Sequence, residues 1–312
     1  MLDYPKNQID FEKQFSSETQ CRKYLFELRF GPGWVCERCG SKEHWRQSRE
    51  RLTCVGCRHE ISPTRGTVFH GSHLPLMVWF RAAWWITNQK QGISALGLQR
   101  ALGLGSYRSA WLMLQKLRAS MVRSGRDRLK GEVEVDETMV GGHQSNTINT
   151  NPKSNKHMVM IAAEKIGKKT GRIRMKLVHE SGIFELMAGV EEMVEPGSLV
   201  ETDGWHAYRQ LPSRGYRHKR VVAKTVAGDA LLPGLHRVAS LFKRWLKGTH
   251  HGRYERKHLQ RYLDEFVFRF NRRTSLSRGL LFQRLLENSI QKQAPRYREI
   301  VREPEKPHYM AL

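Results

Sequence analysis

Apolar positions recur at helical spacing over the first 120 or so residues, and the pattern turns to strand-like alternation near residue 130. In the helical part, Ser17 and Gln20 form a capping box ahead of QCRKYLFELRF, and Gly31–Pro32 stops that helix. LMVWFRAAWWITNQ, with Trp79, Trp84 and Trp85, reads as a helix facing a core. GISALGLQRALGLGSYRSAWLMLQKLRASM reads as two short helices around Gly103–Gly105, the second starting near Ser106. Beyond the basic stretch RSGRDRLK, GEVEVDETMVGG alternates, with Glu132, Glu134 and Asp136 on one strand face and Val133 and Val135 on the other. A polar loop (HQSNTINTNPKSNK) leads to two β-like runs, HMVMIAAEKI and GRIRMKLVHE, joined by GKKT. A helix (IFELMAGVEEMV), a turn at Pro196–Gly197, a short strand ending at Asp203 and further helices follow. This order predicts an α/β domain behind a helical one.

Length and charge narrow the picture. The chain has 312 residues, enough for two or three domains, and 54 Lys+Arg against 30 Asp+Glu leave a net charge of +24. With 39% hydrophobic residues a buried core is expected, which excludes wholesale disorder. The charge points to a polyanionic partner, nucleic acid before membrane. The N-terminus carries no apolar signal region, and the most apolar stretch, LPLMVWFRAAWWI, holds Arg81 in its middle. A cytoplasmic, nucleoid-associated protein is expected, and in that compartment clustered cysteines favour metal over disulfides.

Four of the five cysteines form two C-x2-C pairs, Cys36/Cys39 and Cys54/Cys57, with fourteen residues between them. Each pair presents two sulfurs to one side, and two pairs supply the tetrahedral S4 shell of a structural Zn2+. The intervening segment suits a β-hairpin, the core of a zinc ribbon at about 34–66. Four thiolates and one Zn2+ change the charge from +24 to +22 (24 − 4 + 2), so the chain stays basic. Cys21 lies alone in helical sequence and reads as a core thiol.

In so basic a chain the carboxylates at strand ends need a reason. Asp136 and Asp203 each end a short apolar strand, with glycine close behind at Gly141–Gly142 and Gly204. If those strands are neighbours, the two carboxylates converge at one sheet edge. Without a cation they repel and one takes up a proton. With Mg2+ or Mn2+ they become hard oxygen ligands, suited to phosphodiester chemistry. The alternative is that each Asp is a turn former or ion-pair partner.

The C-x2-C pairs, VEVDETMVGG, ETDGWHAY, FKRWLKGTHHG and HLQRYLDEFVFRFNRR together resemble the insertion-sequence transposases with an N-terminal zinc ribbon and an ISXO-like integrase core, over about residues 15–285. The resemblance implies a ribonuclease-H-like mixed-sheet core of the DDE class, which cleaves DNA at transposon ends and joins 3′-hydroxyls to target DNA. It further implies divalent metal as cofactor, double-stranded DNA as partner and a homo-oligomer on paired ends. By it, Asp136 and Asp203 are the first two members of the triad. The third should be a carboxylate on a later helix with Lys or Arg seven residues on, two helical turns away on the same face. Here LHRVASLFKRWLKG offers His236 with Lys243, 33 residues after Asp203 (236 − 203). Some members resemble this chain in having His or Asn there. Glu265, followed by Arg272, is the rival, bordering the apolar stripe of HLQRYLDEFVFRF.

The expected organisation is an N-terminal helical segment (1–33), the ribbon (34–66), a helix-turn-helix-like segment (67–125), a catalytic core (130–290) and a loose tail (291–312). A helix-turn-helix would point Tyr107 and Arg108 toward DNA, and a plain αα-hairpin is the alternative. Arg244 and Lys247 on the His236 helix, and Arg272 and Arg273 on the next, are candidate phosphate contacts. The rivals to a transposase are a non-catalytic zinc-dependent DNA-binding regulator and an inactivated transposase copy.

Overall fold

The computed structural model describes residues 2–141, 156–178, 182–222, 232–251 and 254–302. The polar loop after Gly141 and the end of the tail, 303–312, lie outside the described residues. The chain divides into two compact units, one of Met1–Arg123 with Thr274–Ile300, the other of Ser124–Arg273 with the residues from Val301 on.

The first unit begins with α1 (Gln8–Gln14) and α2 (Glu18–Phe30). Asn7 caps α1, and Ser17 and Gln20 form the expected reciprocal capping box on α2. Strands β1 (His44–Gln47), β2 (Arg51–Cys54) and β3 (Glu60–Ile61) make a small antiparallel sheet with His44 opposite Cys54 and Leu52 opposite Ile61. Helices α3 (Leu76–Asn88), α4 (Ala95–Leu102) and α5 (Tyr107–Ala119) follow. The α4–α5 junction forms as the glycines foretold: Gly103 ends α4 at φ 61, and Ser106 caps α5 by accepting from the Arg108 amide.

Thr274–Ile300 packs with the first unit rather than with the sheet. The reason is aromatic packing. Helix α9 (Arg278–Gln291; α7 and α8 are defined below) inserts Phe282 among Phe11, Phe15, Phe80 and Trp84, with ring centroids 5.6–5.9 Å away. Rings of this size dominate burial energy, and edge-to-face geometry such as that of Phe282 on Phe11 adds about 0.5–1.5 kcal/mol per pair. The Trp-rich helix is thus core, with Trp79 and Trp84 buried. Cys21 is fully buried as well, which pushes its thiol up to about 12 and makes it inert.

The second unit is a five-stranded mixed sheet. Strands β4 (Glu132–Val140), β5 (His157–Ile166), β6 (Lys169–Val178), β7 (Leu199–Thr202) and β8 (Arg217–Arg220) lie in the order β6-β5-β4-β7-β8. β5 is antiparallel to β4 and β6, whereas β7 runs parallel to β4 and β8 parallel to β7. This is the ribonuclease-H-like mixed α/β arrangement. Helix α6 (Ile183–Met193) covers one face, and α7 (Pro233–His250) and α8 (Arg256–Phe270) the other.

β5 shows why its sequence reads as an almost unbroken apolar run. Met160 and Ala162 pack with Leu186, Met187 and Val190 of α6, while Val159, Ile161 and Ala163 pack with Val238 and Phe242 of α7 and Leu263 of α8. β4 is different. Val133 and Val135 join the α6 side, but the α7-side positions next to them are Glu134 and Asp136. Carboxylates therefore occupy places where the neighbouring strand carries core residues, and that substitution locates the site. Among the described residues no helix is long and apolar enough to cross a membrane.

Candidate active site

The parallel β4–β7 register pairs Glu132 with Leu199, Val133 with Val200 and Glu134 with Glu201. Asp136 lies two residues beyond Glu134, and Asp203 two beyond Glu201. The two aspartates are therefore level, Asp203 just past the end of β7 and Asp136 midway along β4, which does not stop there as expected but runs on to Val140 because its second half stays paired with β5. Both belong to the same side of the pleat as the Glu134–Glu201 pair. Asp203 accepts from the Trp205 amide at 3.0 Å, a local turn that orients its carboxylate just past the strand end. Asp136 accepts from the Glu137 amide at 2.8 Å.

Helix α7 brings His236 to this pair, with Nε2 3.9 Å from Asp136 Oδ2. Burial raises the Asp136 carboxyl above its ordinary value, the Glu137 amide opposes that, the Asp203 charge adds to it and His236 counters it. Lys243, Arg244 and Lys247 are exposed further along α7, with Lys243 on the His236 face. Glu265 is placed elsewhere. It is fully buried on α8, a helix whose Gln260 and Asn271 side chains bond the backbone of Leu177, Met175 and Ile173 on the edge strand β6, two strands from β4. Arg272 and Arg273 close the end of α8. Their guanidiniums lie 4.0 Å over Phe268 and Phe270, and Arg273 also donates to the carbonyls of Gly171 and Thr170. His250, in the GTHHG stretch, packs between Trp245 and Tyr262.

Alternation put Glu134 beside Asp136, but no role followed from it. Its buried carboxylate accepts from the Leu235 amide at 2.9 Å. Glu201 opposite is also buried and is held by Lys219 and Lys165 at 2.7 and 2.9 Å. Burial alone would raise its carboxyl, but those two hydrogen bonds outweigh burial and hold it low.

Glu137, on the other side of the pleat, bonds the buried Tyr208 hydroxyl. Burial pushes its carboxyl up to about 7; the Tyr208 bond opposes this, and the Asp136 and Asp203 charges reinforce it. A raised folded-state value means that the protonated group stabilises the fold below its ordinary value near 4.5, and that this stabilisation is lost as pH rises toward about 7. Urea unfolding of metal-free protein between pH 4.5 and 7.5 is expected to show this decline, and Glu137→Gln to lack it, so that the wild-type-minus-variant difference falls as pH rises toward about 7. Parallel curves for the two proteins would contradict the assignment.

In the first unit, the ligand atoms of Cys36, Cys39, Cys54 and Cys57 lie within 4.8 Å of one another. The Cys36–Cys57 and Cys39–Cys54 sulfurs are 3.6 and 3.4 Å apart. Tetrahedral Zn–S bonds of about 2.3 Å give S···S edges of about 3.8 Å, so the four thiols fit zinc. Each C-x2-C turn closes with the following amide donating back to the first cysteine's carbonyl, Gly40 to Cys36 at 2.9 Å and Arg58 to Cys54 at 3.1 Å. Gly40 (φ 75) and Arg58 (φ 58) both take the left-handed conformation this turn demands. On α5, Tyr107 is exposed and Arg108 stacks 4.3 Å over Tyr297.

A mixed sheet with carboxylates level on two neighbouring parallel strands, one midway along β4 and one just past the end of β7, in a chain with a four-cysteine ribbon, defines a ribonuclease-H-like protein joined to a zinc ribbon. Residues 16–60 match the transposase zinc-ribbon domain and residues 128–271 the ISXO2-like transposase domain, so each unit carries a segment similar to one part of that two-part architecture. It is similar to an uncharacterized protein in the transposable element ISH50 of Halobacterium salinarum, 26% identical over 280 residues, which cover 82% of this chain and 92% of the relative. Among solved structures it is similar to a chain of the simian T-cell lymphotropic virus intasome in complex with the PP2A regulatory subunit B56 gamma. That likeness has a TM-score of 0.33 at 14% identity, covers 67% of this chain and 74% of the other, and transfers no residue roles.

Proposed function

We propose that this protein binds the ends of its own mobile element, cleaves DNA there and joins the resulting 3′-hydroxyls to target DNA. The observation that carries the reading is the level placement of Asp136 and Asp203 on neighbouring parallel strands with His236 3.9 Å from Asp136. The donor set fits a divalent ion: two carboxylates, one of them disfavoured as a bare anion by burial and by its neighbour, and one imidazole nitrogen. Asp136, Asp203 and His236 would hold Mg2+ or Mn2+. When bound, such ions activate water or a hydroxyl and stabilise a leaving oxygen of a phosphodiester.

The remaining roles belong to the chain itself. Asp136 and Asp203 supply the negative charge, and His236 completes the set without adding to it. Lys243, on the same helical face, contacts a DNA phosphate beside the reacting one, and Arg244 and Lys247 extend that contact along the duplex. The ribbon and the α4–α5 pair bind the element ends, with Tyr107 and Arg108 at the start of α5 facing the groove.

The test is incubation of purified protein with the flanking DNA of its own element, with and without Mn2+. Metal-dependent 3′-end cleavage is expected, reduced about 100-fold or more in His236→Ala while Glu265→Gln cleaves normally. End binding without cleavage in any lane identifies the non-catalytic regulator or an inactivated copy and ends the proposal. Wild-type cleavage by His236→Ala removes His236 from the site.

A further inference from the structure

Helix α7 starts without a cap of its own. Its N-cap residue is Leu232, which has no side-chain acceptor, and its first residue, Pro233, has no N–H to offer. No side chain of Leu232, Pro233, Gly234 or Leu235 can accept from these amides, and the Leu232 carbonyl takes only that of His236, at 3.0 Å. The acceptor comes from 101 residues earlier: Glu134 Oε2 on β4 takes the Leu235 amide at 2.9 Å. The next residue after Leu235 is His236, and the next residue on the same side of β4 after Glu134 is Asp136. One strand face thus anchors the helix through Glu134 and meets its imidazole through Asp136.

Two features show that this contact is built for close approach. Gly234 sits so tightly that an added Cβ would lie 2.8 Å from Glu134 Oε2 and 3.1 Å from Thr170 Oγ1. A methyl group there would have to displace the Glu134 carboxylate from its place beside the helix start. The charges around Glu134 are also already allotted. Its register partner Glu201 holds both Lys165 and Lys219 by direct bonds, so Glu134 feels Lys165 and His236 only through space, and its hydrogen bond goes to the start of α7.

We propose that Glu134 is a positioning residue, which clamps the N-terminus of α7 to β4 and thereby sets His236 against Asp136. The inference rests on the reading above in which His236 joins the two aspartates. It assigns Glu134 no contact with DNA or with the ion.

The test combines Glu134→Ala, Glu134→Gln and Gly234→Ala, each alone and in a His236→Ala background. In metal-free protein, hydrogen exchange of residues 232–238 is expected to speed up in Glu134→Ala and Gly234→Ala. Glu134→Gln keeps an acceptor oxygen and should retain protection. Mn2+ affinity, read by titration calorimetry, is expected to fall about 10- to 100-fold in Glu134→Ala and Gly234→Ala, the loss typical of removing a group that orients a ligand. Cleavage should fall in parallel with end-binding affinity unchanged. With His236 replaced, Glu134→Ala should cause no further loss of Mn2+ affinity, because it acts through that side chain.

Equal losses in both backgrounds would overturn the inference and mark Glu134 as a general stabiliser of the sheet. Unchanged exchange at the start of α7 would overturn it too. Should Glu134→Ala fail to fold, Gly234→Ala carries the same comparison with the carboxylate retained. If His236→Ala alone binds Mn2+ and cleaves like the wild type, the parent reading fails, and that result is separate from any outcome at Glu134.

Discussion

Replacing Asp203 by Asn is expected to lower metal-dependent cleavage of element ends by about 1,000-fold or more while leaving end binding and the fold intact. The substitution keeps the shape of the side chain and an oxygen that accepts from the Trp205 amide, so the turn after β7 survives. What disappears is one of the two proposed anionic ligands, and a neutral amide oxygen is a far weaker partner for a hard divalent cation. Removing that charge also relieves its pressure on Asp136, whose carboxyl is raised by burial and further by Asp203. The metal-free Asn variant should therefore be at least as stable as the wild type near neutral pH. That combination, a lost reaction with a retained or improved melting temperature, separates a catalytic carboxylate from a structural one. A variant that cleaves at the wild-type rate would remove Asp203 from the chemistry.

Zinc removal is expected to have the second large effect, confined to the ribbon. The ribbon's own core is Phe26, Trp34, Cys36, Leu52, Cys54 and Ile61, and two of those six are proposed ligands. Its strands are four, four and two residues long, too little sheet to be stable alone. Structural zinc contributes on the order of 10 kcal/mol in such modules, so the metal and the fold stand together. One zinc per chain is expected by elemental analysis. Chelation, or Cys54→Ser at a fully buried position, should abolish hydrogen-exchange protection across residues 34–61. Specific end binding should fall about 100-fold or more, while salt-sensitive binding to arbitrary DNA persists through the remaining basic surface. Unchanged protection in zinc-free protein would show that the thiols do not hold a structural ion.

How much of this was legible beforehand depended on the range over which each feature is specified. The capping box at Ser17–Gln20, the start of α5 after Ser106 and the alternation of Glu134 and Asp136 with Val133 and Val135 are set by residues within a turn or a few strand positions of each other, and all appear as expected. The two C-x2-C turns were equally legible, since each needs only four residues and a left-handed position behind it. The helix carrying His236 was legible by its spacing to Lys243. Its proximity to Asp136 was not, because that depends on how α7 crosses the sheet. Nor could the sequence choose between His236 and Glu265, as both lie on apolar-faced helices. The structure sets the start of α7 against β4 and α8 against β6, and the choice of His236 is the proposal built on that placement. The packing of α9 with the first unit is not legible in the sequence for the same reason. Its apolar stripe shows that it packs, but nothing nearby in the chain says that Phe11, Phe15 and Phe80 receive Phe282.

The residues alone specify a basic chain with two C-x2-C pairs, two aspartates that follow short apolar runs and a histidine seven residues before a lysine; the transposase reading of that pattern came from resemblance. Those properties follow from composition, spacing and local periodicity, which need no partner element. Tertiary structure decided that β4 and β7 are parallel neighbours in a register that levels Asp136 with Asp203. It also decided that Glu134 receives the uncapped start of α7, and that Glu137 turns away to Tyr208. Each of these joins groups some seventy to a hundred residues apart. A strand fixes which of its side chains share a face, but which strand and which helix lie against that face is settled only when the whole core packs.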